Sequence, residues 1–174
     1  MHHEQTNGAE AMDSPWKGLA AGLIGGLVAT WAMTQFQTFL TRLEKEGNGE
    51  SGGDGGENAT VRAAEAISSG VLRHELPEEK KEAAGAGVHY GFGTLMGGAY
   101  GAVAEVAPAV VAGQGFPFGA ALWLGADEVA VPALGLSKRP AEIPVSKHAG
   151  ALAAHLVYGA ILEVVRRSVR GLLG

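Results

Sequence analysis

Residues 18–41, 83–104, 106–126 and 148–162 contain no Asp, Glu, Lys or Arg. Nothing else in the chain constrains its fold as strongly, because a helix crossing the hydrocarbon core of a bilayer needs roughly 20 predominantly apolar residues. Bulk values conceal the pattern: the chain is 47% hydrophobic with a mean hydropathy of only +0.12. Most of the charge is confined to residues 42–82, 138–147 and 166–170. Glycine (28) and alanine (30) supply a third of the 174 residues. Soluble cores fill volume with Leu, Ile and Phe, whereas membrane helix interfaces use small residues so that backbones approach closely. The length is that of one domain. Together these features predict an all-α integral membrane four-helix bundle.

The same composition narrows the chemistry. Without cysteine there are no disulfides, thiolate metal sites or Cys nucleophiles. A net charge of −5, with no basic patch mixed with aromatics, gives no reason to expect nucleic acid as a partner. The stretch before the first apolar run has one basic residue, Lys17, and the run outlasts a normal signal h-region, so an uncleaved first span is expected.

Residues 1–15 are polar without an apolar period and read as a disordered N-terminal tail, His2 and His3 included. The membrane domain then covers 16–174, with spans at about 16–41, 83–106, 116–131 and 146–166. Trp16 and Lys17 suit an interface at the start of the first span. Gly18, Gly22 and Gly26 repeat every four residues, as do Gly93, Gly97 and Gly101, each row suited to close helix packing or to a homo-oligomer. Residues 46–58, EGNGESGGDGGEN, have nothing to bury and read as a flexible acidic linker. After it, Val61, Ala64, Ile67, Ser68 and Val71 fall at helical spacing, predicting a short amphipathic helix between spans 1 and 2. Pro77-Glu78-Glu79 is a helix start, and Pro108 and Pro132 are stops. Four spans place both termini on one side. Nine of the 13 Lys and Arg then fall beside loops 1 and 3, which the positive-inside rule assigns to the cytoplasm.

Antiparallel spans sort the polar residues by depth. Near the side of loops 1 and 3, Gln35, His89, Asp127 and His155 share a depth of roughly 8–12 Å at 1.5 Å of rise per residue. Glu128 and His148 border this layer, and His148 and His155 share a helix face because seven residues make two turns. A second layer at the opposite side holds Lys17, Glu105, Gln114 and Glu163, with the two glutamates expected to pair with Lys17 or Arg166 or to meet solvent. Ionisable groups inside spans are costly and face the bundle interior. Two imidazoles and a carboxylate from three helices suit a divalent metal such as Zn²⁺ with an open fourth position. They equally suit a proton relay, axial haem ligation, or an interhelical clamp worth about 0.6 kcal/mol per bond. No HExxH or P-loop pattern is present, and no enzyme activity is expected.

Over about residues 85–170 the chain resembles the YagU-like family of small bacterial inner-membrane proteins, classed as a domain of unknown function. The resemblance runs through His89, Ala104-Glu105-Val106 before Pro108, and Gln114-Gly115. It continues in Pro132, Leu134-Gly135-Leu136, His155-Leu156-Val157, Glu163 and Arg166-Arg167. It departs at Asp127, where the family pattern has a His, and the acidic linker has no counterpart. The resemblance implies an inner-membrane location and a link to acid tolerance, without an assigned biochemical activity. Two functions follow as expectations: a non-enzymatic membrane protein contributing to acid or envelope stress tolerance, or a proton- or metal-handling channel or transporter built on His89, Asp127 and His155.

Overall fold

A computed structural model describes residues 6–48, 55–71 and 73–174. Among these the chain is helical, with no strand. α1 (Thr6–Asn48) is followed by α2 (Gly55–Gly70) and α3 (Glu78–Val106). A 3₁₀ turn at Pro108–Val111 leads to α4 (Phe116–Trp123), which runs without a break through a π-helical segment, Leu124–Ala130, into α5 (Val131–Ala133). A second 3₁₀ turn, Pro140–Glu142, precedes α6 (Val145–Leu172).

Two helices are long and apolar enough to cross a membrane by length and composition: α1 over Pro15–Glu46 and α6 over Val145–Leu172, each with a mean hydropathy of 1.4. The first span was expected to start near residue 16 after a disordered tail, but helical backbone reaches back to Thr6, through Pro15. Residues 1–5, with His2 and His3, lie outside the described residues. The expected linker is likewise shorter: residues 46–48 end α1 and 55–58 open α2, and 49–54 lie outside the described residues.

α1 packs chiefly against α3 and α6. Its buried positions, Gly18, Ala21, Gly22, Gly25, Gly26, Ala29, Thr30 and Met33, follow the i, i+3, i+4 spacing of one helix face. The glycine rows of α1 and α3 face each other: a Cβ on Gly22 would lie 2.2 Å from the Gly97 carbonyl oxygen, and one on Gly101 would lie 2.1 Å from that of Gly18. Only residues without a Cβ allow this approach. The pairing runs 18 with 101, 22 with 97 and 26 with 93, so the two helices are antiparallel. α6 is antiparallel to α1 as well, joined at the far end by Lys147 and Glu44 at 2.5 Å.

α4 packs on α6 by the same device, with Gly115 against Gly159 and Gly119 against the His155 carbonyl. Gly115 adopts φ +83°, which a side chain would strain, and begins α4. Between α3, α4 and α6 lies an aromatic core, with the Phe118 ring 4.6 Å from Tyr100 and 6.5 Å from Tyr158. The Tyr158 hydroxyl donates to the Gly93 carbonyl at 2.6 Å, tying α6 to α3.

α2 packs on the N-terminal half of α3, with Val61 over Gly85. Ala59, Ala64 and Ser68 are its buried residues, while Ile67 and Val71 are exposed. The apolar face expected of this helix is therefore split. Lys81 bridges the two helices, 2.7 Å from Glu65 and also paired with Glu78. Hydrogen bonds to these carboxylates, Glu65 first, hold the Lys81 ammonium above its ordinary range.

Candidate functional site

The π-helical segment carries the first polar cluster. Pro132 has no N–H to donate to the Glu128 carbonyl four residues earlier, so the regular α ladder cannot pass this point. The chain widens by one residue instead, and such π turns recur at functional positions. The wider turn delivers two successive carboxylates to α6. Glu128 Oε1 lies 2.5 Å from His148 Nδ1, and Asp127 Oδ2 lies 3.7 Å from His155 Nδ1.

His148 and His155, two turns apart, do share a face of α6. Their ring nitrogens are held differently. His148 meets Glu128 through Nδ1 and the Pro140 carbonyl through Nε2 at 3.0 Å. Both partners are acceptors once Glu128 is ionised, so only the doubly protonated ring can donate to both. His155 is buried and directs Nδ1 to the Ala151 carbonyl at 3.0 Å, with the Asp127 carboxylate just beyond hydrogen-bond reach.

The remaining members of this expected layer sit apart. His89 is half-buried on α3, its ring edge-on to Tyr90, and Gln35 is exposed on α1. Among the described residues no three His, Asp or Glu side chains are grouped so as to hold a metal ion. The reason lies in the helix neighbours. α3 packs on α1 and α4 packs on α6, leaving α3 and α4 little direct contact beyond Phe118 against Tyr100.

A second cluster closes the other end of the bundle. Glu163, 1% exposed, accepts from Arg166 through Nε at 2.7 Å and Nη2 at 2.9 Å, and also from Arg167 Nε. Glu105 on α3 accepts from Arg170 through Nε at 2.9 Å and Nη2 at 3.2 Å, with Arg166 Nη1 4.0 Å away. The buried Tyr100 hydroxyl lies beside Glu163 without a hydrogen bond of good geometry. Lys17 completes the group by a different contact from the one expected. Its Nζ donates to Gly174 O at 2.9 Å, the same oxygen that Arg170 Nη1 reaches at 3.0 Å. Gln114, expected here, is instead exposed in a left-handed turn at φ +55°.

Of the glutamates' expected partners, Arg166 is present for both. Arg167 and Arg170 were missed as site residues because "RRSVRGLL" reads as an amphipathic basic helix end. Their spacing from Glu163, at i+4 and i+7, was the available signal.

An all-helical chain with two helices fit to cross a bilayer, and with its charge gathered at two ends of a small-residue bundle, defines only a broad class. The chain belongs to the family described as Protein of unknown function (DUF1440), which it matches over residues 69–164. That region runs from the end of α2 through most of α6 and includes both histidine–carboxylate pairs, Glu105 and Glu163. No curated protein and no solved structure matches the chain.

Proposed function

We propose that this chain is a four-span protein of the bacterial inner membrane that responds to protons, contributing to acid or envelope stress tolerance without enzymatic activity. The membrane assignment rests on an inverted burial pattern. α1 turns Gly and Ala inward and presents Ile24, Leu27, Val28 and Trp31 outward. α3 and the α4 run do likewise with Phe92, Leu95, Val103, Phe116, Leu124 and Val129. Only 39% of the most apolar window of α1 and 33% of that of α6 is buried inside the chain. A soluble core helix has its large apolar side chains inside; lipid is the solvent that suits this surface. The small residues that remain open on α3, Gly87 and Gly91, suit contact with a second copy.

The proton response is carried by one observation: the π turn hands Asp127 and Glu128 to two histidines on a single face of α6. Acidification protonates His148, which then donates to both of its acceptors, so the π turn tightens on α6. Raising the pH removes one of these two donors.

The competing reading, conduction of protons through the bundle, draws on the buried hydroxyls of Tyr100 and Tyr158 between the two polar layers. The Phe118 ring stands between them.

The test is the thermal midpoint of the protein in lipid nanodiscs at pH 5.5 and pH 8, after carbonate-resistant retention in membranes has been established. The midpoint is higher at pH 5.5, and the double variant Asp127→Asn, Glu128→Gln loses most of that difference. Equal midpoints at the two pH values, or an unchanged difference in the variant, overturn the proton response. Proton flux into liposomes above that of empty vesicles favours conduction.

A further inference from the structure

We propose that the outward face of α1 is the contact surface for a second copy of this chain, with the Gln35 carboxamides of the two copies bonded to each other. The inference rests on the membrane reading above but not on the proton response. α1 packs against α3 and α6 through one side. Its other side stays open: Ala20, Ile24, Leu27, Trp31, Gln35 and Thr38 are all exposed, at the three- and four-residue spacing of a single stripe.

The apolar members of this stripe suit lipid, and Thr38 returns its hydroxyl to the Thr34 carbonyl at 2.9 Å. Gln35 has no such outlet. Its carboxamide carries two N–H donors and an accepting oxygen, and no described residue hydrogen-bonds it. It also lies within the charge-free stretch 18–41, seven residues and so about 10 Å inward of Arg42. Polar groups that face hydrocarbon are costly until bonded, and glutamine side chains bonded across helices are one of the forces that hold membrane helices together.

Symmetry makes the partner a second copy. Two copies inserted in one orientation are related by a two-fold axis along the membrane normal, so each residue of the stripe meets its counterpart at the same depth. An amide is complementary to itself: each Gln35 donates an N–H to the other's oxygen. An acyl chain answers neither group. Trp31, 56% exposed and one turn away, supplies the largest apolar side chain of the contact. Gly87 and Gly91 offer a second copy another face, on α3, but they carry no polar group that requires one.

The experiment uses the full chain in liposomes, with the dimer fraction followed by single-molecule photobleaching as lipid dilutes the protein. Wild type dimerises, and Gln35→Leu weakens dimerisation about sevenfold, the weight of two interhelical bonds in a membrane. Gln37→Leu, which alters a half-buried residue off the stripe, leaves it unchanged. The chain has no cysteine, so single cysteines report the face directly. On oxidation, Leu27→Cys links the two copies, and Leu95→Cys, on the outward face of α3, does not.

Wild type that stays monomeric, or dimerisation unchanged in Gln35→Leu, overturns the contact. An equal loss in Gln37→Leu does so too. Cross-linking through Leu95→Cys without Leu27→Cys overturns it in favour of the α3 face. Carbonate-resistant membrane retention, measured on every variant, separates failure of this inference from failure of the membrane reading. Protein that is retained but monomeric rejects the contact alone.

Discussion

Two glycines six residues apart on α3 give a controlled test of the packing. A Cβ on Gly97 lies 2.5 Å from both the Gly22 carbonyl oxygen and Gly26 Cα, and 2.8 Å from Gly26 N. A Cβ on Gly91 meets nothing within 4 Å. Carbon contacts relax at about 3.5–4.0 Å, so Gly97→Ala must push α1 and α3 apart by about 1 Å. A gap of that size forfeits a quarter to a half of each contact along the seam, and overpacking of this kind costs about 1–3 kcal/mol. Both substitutions share the helix-propensity gain of about 1 kcal/mol for replacing glycine with alanine. Their difference therefore isolates the steric cost. Gly97→Ala is expected to be less stable than Gly91→Ala by about 1–3 kcal/mol. That is roughly 2–4 °C of thermal midpoint per kcal/mol for a chain of this size. The assay is reversible denaturation in mixed micelles followed by far-ultraviolet circular dichroism. Equal stability of the two variants, or a less stable Gly91→Ala, would refute the interlocked seam.

Two further outcomes test other contacts. Tyr158→Phe removes the 2.6 Å bond to the Gly93 carbonyl while keeping the ring against Phe118, and should cost about 1 kcal/mol in the same denaturation assay. Glu163→Gln strands the buried Arg166, for which a loss of about 3 kcal/mol or more is expected. The apolar pair Glu163→Leu, Arg166→Met should recover most of it, so a double-mutant cycle showing additive losses would contradict the ion pair.

Much of the architecture was legible because apolar runs and proline stops are local signals. α3 ends at Val106, ahead of Pro108, and the third helical run starts at Phe116 as the pattern implies. The length of α1 was not legible. The polar residues from Thr6 carry no apolar period, yet they continue the helix backwards from a segment already formed. Nor was the π turn. Pro132 was read as a stop two residues beyond the end of Ala130, whereas the chain absorbs it by widening the turn before it.

Depth along each helix follows from counting residues, which puts His148, His155, Asp127 and Glu128 toward one end and Glu105 with Glu163 toward the other. Direction around each helix does not follow from counting. Gln35 and Gln114 face outward, and His89 lies on α3, which packs chiefly on α1 and α2 and meets α4 through Tyr100 and Phe118. The sequence by itself determined the helices, their glycine rows and the two levels at which charge collects, because periodicity and rise per residue are properties of a single chain segment. Only the tertiary structure decided which helices are neighbours, and hence that two histidines of α6 meet Asp127 and Glu128 in pairs. It also decided that three arginines share Glu105 and the buried Glu163. Side-chain convergence depends on the rotation and adjacency of packed helices, which no single segment encodes.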